Sequence, residues 1–272
     1  VRFVTTVACG LAAALLAAAP SAAQVERPER IADKPNLNGV WRALNTAHWN
    51  LEAHSAEAIE TFPGLGAIAA IPAGQSVVVG ETIPYRPEAL ARRDENRAGW
   101  PASDPEAACY MPGIPRATYM PHPFQIIQGG GDILMAYSFA KSNRVIHMGE
   151  PKTAPFDQWM GISNGRWEGD VLVVETTAND DRTWFDRAGN HHSYQMVVTE
   201  RFTPIDADHI DYEATIDDPD TFTRPWTIRM PLYRDVAPNA ELLDFNCVPF
   251  SEELLYGHLE KAEEPVDSGG TN

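Results

Sequence analysis

Cysteine is scarce in this chain, and clusters of basic residues are missing. Three cysteines in 272 residues are too few and too far apart for a zinc site or a redox CxxC pair. With 21 Lys and Arg against 38 Asp and Glu, the formal net charge is −17. No basic stripe exists of the kind that nucleic acid or an anionic lipid surface requires. A small anion is still compatible, because one local arginine can hold it. No GxSxG elbow, P-loop, Rossmann fingerprint, HExxH or CxxCH motif occurs. No cofactor or metal is therefore expected, and no serine is marked out for a Ser-His-Asp arrangement. Helical periodicity is nearly absent after residue 100, which excludes a helical bundle for that region.

Long apolar runs are also missing beyond the N-terminus. The stretch VRFVTTVACGLAAALLAAAPSAAQ has one basic residue, Arg2, then a short apolar run, then small residues. Ser21 and Ala23 stand where a signal peptidase reads, so residues 1–23 are expected to be a secretory signal rather than a membrane span. The expected location is the periplasm or the medium. Cys9 would leave with the signal, and Cys109 and Cys247 would meet in an oxidising compartment. There a disulfide is favoured over two buried thiols.

What is present divides the remaining chain into three parts. Residues 24–123 form an irregular region, with a first strand at NGVW (Asn38–Trp41) and long helix formers in NTAHWNLEAHSAEAIE. TFPGLGAIAAIPAG is apolar but punctuated by Gly and Pro, and VVVG (77–80) is a short strand candidate. RPEALARRDENRAG (Arg86–Gly99) predicts a helix, with Pro87 in its first turn and Gly99 at its end. The proline-rich WPASDPEAACYMPGIPRATYMPHP predicts a loop packed across other elements. Residues 124–250 read as strand after strand: FQIIQ, ILMAYSFA, RVIHMG, WMGISNGRW, VLVVETT, YQMVVTERFT, HIDYEATI, RPWTIRMPLY and ELLDFNCVPF. Residues 251–272 are a C-terminal segment and a tail with the composition of disorder. The expected fold is all-β: an antiparallel lipocalin-like barrel or curved β-sandwich with irregular, partly helical N-terminal decoration.

Strand alternation separates core from surface. Ile210, Tyr212, Ala214 and Ile216 face one way, and Trp226, Ile228, Met230 and Leu232 do the same in their strand. In YQMVVTERF the inner row is Tyr194, Met196, Val198, Glu200 and Phe202. Glu200 interrupts it, and a carboxylate there needs a partner or a raised pKa. Two readings follow: a cavity carboxylate acting on a ligand, or a buried ion pair holding the fold. Glu168-Gly169 is a two-residue loop candidate, or Gly169 takes the positive-φ position of a slightly longer one. Asp170 then bonds within the turn, and Trp167 packs. VLVV is apolar on both faces, so its strand is expected to be covered on both sides.

The connection Ala178–Ser193 (ANDDRTWFDRAGNHHS) is long enough to suggest a role. Its spacing matches no metal motif. His192 stands two residues before Tyr194 and is expected to share its face. Arg116, Arg144 and Arg201 are candidate polar groups near a cavity, and Trp184 and Tyr194 are candidate walls.

The ordered motifs PNLNGVW, CYMPGIPR, MGISNGRWEGDVLVVETT, TWFDRAGNHHS, VTERF, TIDDPDTFTRPWT and FNC resemble those of a large family of exported bacterial proteins. The resemblance runs from about Pro35 to Cys247, with an insertion-like region at residues 45–80. Family members usually have Thr where Val171 stands. The resemblance carries no established activity with it.

Three functions are therefore open. One is a periplasmic protein that binds a small, partly apolar molecule in a barrel cavity, with Arg116, Arg144, Trp184, Tyr194 and Arg201 as contacts and Glu200 as anchor. Another is a cofactor-free lyase, isomerase or hydrolase using Glu200 and His192 as acid and base. The third is an envelope module that contacts another protein.

Overall fold

The structure, a computed structural model, describes residues 29–59, 70–251 and 255. The expected signal, residues 60–69 and nearly all of the expected tail lie outside the described residues. The strands, in chain order, begin with β1 (Arg30–Ile31), β2 (Lys34–Pro35), β3 (Gly39–Ala43), β4 (Glu57–Ala58) and β5 (Ala70–Ile71). Two helices follow, α1 (Pro87–Ala98) and α2 (Arg116–Tyr119). The remaining strands are β6 (Phe124–Ile127), β7 (Ile133–Tyr137), β8 (Asn143–His147), β9 (Ile162–Glu168), β10 (Val171–Thr177), β11 (Val197–Pro204), β12 (His209–Asp217) and β13 (Trp226–Arg234).

Nine of these strands close into one barrel in the order β10-β11-β12-β13-β3-β6-β7-β8-β9. All neighbours are antiparallel except β8 and β9, which pair in parallel, Ile146 opposite Ser163. The barrel is antiparallel as expected except at this one seam. Residues 148–161 return along the length of the barrel, so β9 starts at the same end as β8. ELLDFNCVPF is not a strand either. It is an extended strap, held by Ser138 Oγ donating to the Leu243 carbonyl (2.9 Å) and by Phe250 N–H donating to the Ala107 carbonyl (2.8 Å). The strap ends at a Cys109–Cys247 disulfide with the two Cα atoms 5.7 Å apart.

The alternation rule places the core well. Ile210, Tyr212, Ala214, Ile216, Val198, Glu200, Phe202, Ile228 and Leu232 are all fully buried. In β10, Leu172 and Val174 face inward, and Val173 on the outer face is fully buried as well. The tip of the β9–β10 hairpin is Gly169-Asp170, one residue later than Glu168-Gly169, since Glu168 still pairs with Val171. Gly169 has φ +63, a backbone state glycine adopts without a Cβ penalty. Asp170 does not bond within the turn. It accepts from Arg30 at 2.8 Å, so the β1–β2 hairpin is clamped onto this tip.

The barrel has an open-loop end and a decorated end. At the decorated end β10 leads into Ala178–Met196, β12 leads into residues 218–225, and residues 44–123 join β3 to β6. The described residues of these segments build a cap. α1 forms as the sequence predicts, with Pro87 at its start, Glu88 in its first turn, Arg97 in its last and Gly99 as C-cap. NTAHWNLEAHSAEAI forms turns, a bridge at His54 and the short strand β4 rather than a helix. Val78 of VVVG makes only a bridge to Ile228, with Val79 N–H donating to Thr227. The proline-rich segment packs across the barrel end through α2, all four residues of which are buried.

Candidate functional site

Two buried charge networks meet at the cap end, on either side of α2. The first lies inside the barrel and spans consecutive strands. Arg144 on β8 crosses the lumen and donates to both Glu200 oxygens on β11, at 2.6 and 3.0 Å. Tyr212 on β12 donates to the same carboxylate at 2.9 Å. Ser163 on β9 and Thr176 on β10 lie along the path, with their hydroxyls 3.0 Å apart and at 3.4 and 3.5 Å from Arg144. Glu200 is 0% exposed and Arg144 4%. Burial opposes the Arg144 charge, but Glu200 outweighs it and holds the guanidinium above its ordinary pKa. Thr118 of α2 stands beside Tyr137 and Tyr212 and closes this network from above.

The second network lies above α2, inside the cap. Arg116 makes a bidentate pair with Asp104 at 2.9 and 3.0 Å and also donates to Glu106. Arg187 holds Glu106 from the other side, at 3.0 and 2.5 Å. Burial alone would raise the Glu106 pKa, yet Arg116 and Arg187 together bring it down to about 2. Arg187 also lies 4.3 Å over the Trp49 ring, a cation–π contact. His48 is buried beside these groups, and its Nδ1 has no hydrogen-bond partner. Burial first and Arg187 second push its pKa down to about 3, so it is a neutral imidazole.

The Ala178–Ser193 connection frames the cap. Asp186, fully buried, accepts from the Leu51 and Ala188 N–H groups and from the Asn190 side chain. Burial raises its pKa to about 6. Gly189 (φ +84) brings this loop against α1, where a Cβ would meet the Arg93 carbonyl at 2.6 Å. Among the described residues, no group of three or more His, Cys, Asp and Glu is placed to hold a metal ion.

Around this scaffold lies a cavity of about 770 Å³, walled by Trp49, His54, Asp94, Arg97, Trp100 and Arg187. The Trp49 and Trp100 rings are 5.8 Å apart and inclined at 59°. An inner pocket of about 100 Å³ shares Trp100 and Arg187 with it and adds Glu106, His122, Phe139, Phe245 and Cys247. A third cavity, about 320 Å³, lies at the opposite end beside Gly129–Gly131 and Trp167. None of the three is lined by Glu200 or Arg144.

No family model matches the chain, and no curated protein or solved structure does either.

The residues singled out in the sequence fall in different places. Glu200 and Arg144 are joined, as partners of each other. His192 bonds elsewhere, to Thr183 Oγ1 (2.7 Å) and the Ser193 carbonyl (2.8 Å). Glu200 and His192 thus share no hydrogen bond and no common partner. Tyr194 is 56% exposed. The expectation that it continues the inner row is corrected, because β11 begins only at Val197 and Tyr194 sits in the preceding turn. Arg201 faces outward and pairs with Glu168 at 2.9 Å, so it does not approach the lumen. Trp184 is buried and bridges to His191. Arg116 is the one arginine candidate beside the cap cavities. Trp49, Trp100, His122 and Arg187 were not singled out. RAGN reads as an ordinary turn, and the pairing of Arg187 with Glu106 across 81 positions leaves no local trace.

Proposed function

We propose that this protein binds a small, partly apolar molecule, and that it does so in the cap cavity rather than in the barrel lumen. The observation that carries this reading is the 770 Å³ space walled by Trp49 and Trp100. Its size suits a small organic ligand, and its aromatic walls supply apolar area at low entropic cost. The lumen around Glu200 is occupied by its own ion pair, so a ligand there would have to break it. The expected location is the periplasm. The Cys109–Cys247 disulfide is consistent with an oxidising compartment.

The test uses native mass spectrometry of the purified protein, with extraction of bound molecules. One small molecule per chain is expected. It should be lost on Ala98→Trp, which fills the cavity from an exposed wall position and removes no contact. Retention of the molecule by Ala98→Trp would place it elsewhere and refute the reading.

A protein-contact role has one observation of its own. Tyr110 is half exposed and stacks on Trp159 at 4.9 Å, with Arg182 4.4 Å over the same ring and Phe156 69% exposed nearby in sequence. Crosslinking from a photoreactive group at Tyr110 in the native host would capture a defined partner on that reading, and none if the patch is idle.

A further inference from the structure

The outer cavity and the inner pocket share a wall made of Trp100 and Arg187. Among the described residues, every charge along both compartments has a counter-charge. Arg187 and Arg116 are matched by Glu106 and Asp104. Arg97 is matched by Glu57 at 3.4 Å, and Asp94 by Arg93 at 2.8 Å. An ionised ligand would lose part of its hydration here without gaining a free opposite charge, which is unfavourable.

The inner pocket offers a neutral hydrogen-bonding side chain, His122, in addition to the buried, unpartnered His54 Nε2 of the outer cavity. His122 is half-buried between aromatic rings, 4.2 Å from Phe245 and 5.5 Å from Phe139 between centroids. Neither of its ring nitrogens has a hydrogen-bond partner among the described residues. Burial holds its pKa below the ordinary histidine value, so at neutral pH it offers one N–H donor and one nitrogen acceptor. A hydroxyl or carbonyl fits that pair of functions.

We propose that the two compartments form one site and that its ligand is an uncharged amphiphile. Its apolar body lies against Trp49 and Trp100, and its hydroxyl or carbonyl end passes the Trp100–Arg187 wall to bond His122. This rests on the small-molecule reading above and adds the ligand's charge class and polarity.

Four probes that share a phenyl ring and a two-carbon arm test it: ethylbenzene, 2-phenylethanol, phenylacetate and 2-phenylethylammonium, titrated against tryptophan emission. The alcohol is expected to bind best, at least about tenfold tighter than either ion. His122→Phe keeps a ring between Phe139 and Phe245 and removes both nitrogens. It is expected to weaken the alcohol about tenfold and leave ethylbenzene unchanged, and His122→Gln should restore part of the difference. Phenylacetate or the ammonium binding as tightly as the alcohol would overturn the proposal, and so would an alcohol-to-hydrocarbon ratio that His122→Phe leaves unchanged. In both cases ethylbenzene still binds and the small-molecule reading stands. If no probe binds, including ethylbenzene, both fail together.

Discussion

Glu200→Gln removes the charge from the middle of the barrel while keeping the size and one acceptor oxygen of the side chain. Arg144 then remains, 4% exposed, with no anion in reach. Removing one partner of such a pair leaves an uncompensated buried charge and costs about 3–5 kcal/mol. For a chain of this size that is a fall of roughly ten degrees in Tm. The Arg144→Met and Glu200→Gln double variant should recover much of the loss, because a flexible apolar side chain fills the path past Ser163 and Thr176 without a stranded charge. Urea unfolding of the wild type, both single variants and the double variant gives the coupling directly, and a value above about 2 kcal/mol is expected. Ligand occupancy in the cap should not change in any of them. A Glu200→Gln protein within about 1 kcal/mol of wild type, at unchanged m-value, would show that the pair does not hold the barrel. Altered ligand binding at unchanged stability would return Glu200 to the binding site.

Other predictions concern the cap. His48 has a folded pKa near 3, so the unfolded chain takes a proton below about 6.5 while the native protein does not. Its contribution is present above that pH and is lost as the pH falls through this window, on the order of 4–5 kcal/mol in all. Glu106, held at about 2, acts in the same direction below its unfolded value. Asp186, raised to about 6, acts oppositely, losing stability as the pH rises toward 6. His48→Gln should therefore flatten the stability profile between about pH 4 and 6, measured by urea unfolding across that range; an unchanged slope would refute it. Reducing Cys109–Cys247, which spans 138 positions, should cost up to about 5 kcal/mol, and an unchanged denaturation midpoint after reduction would count against it. Gly189→Ala drives a methyl into the α1 backbone from a positive-φ position. It should destabilise by about 2 kcal/mol or more and weaken ligand retention, read by thermal melting and native mass spectrometry; a neutral effect on both would show that α1 can yield.

The sequence made some features legible because their causes are local. Pro87 and Gly99 mark the ends of α1, and the alternation around Tyr212 and Ile228 marks the inner face of the barrel. Glu200 stood out for the same reason, as an interruption in an apolar row. Its partner did not, because choosing Arg144 over Arg201 or Arg116 requires knowing that β8 faces β11 across the lumen. ELLDFNCVPF misleads because its apolar residues serve a tether. Phe245 packs on His122 and Cys247 is covalently held, so no sheet partner is needed. The cap was the least legible part, since its walls come from residues 49–58, α1, Trp100 and Arg187–Ala188, and only tertiary packing brings them together.

The ring of strands has a consequence for how the chain acquires its shape. β13 closes onto β3, with Leu232 opposite Ala43. The first barrel strand to be made therefore keeps an open edge until the last one arrives. Contacts that far apart in sequence are slow to form, and an unpaired edge invites association with other chains. A chain that stops before residue 226 leaves β3 and β12 unjoined, so premature termination would yield a sticky open sheet rather than a smaller barrel.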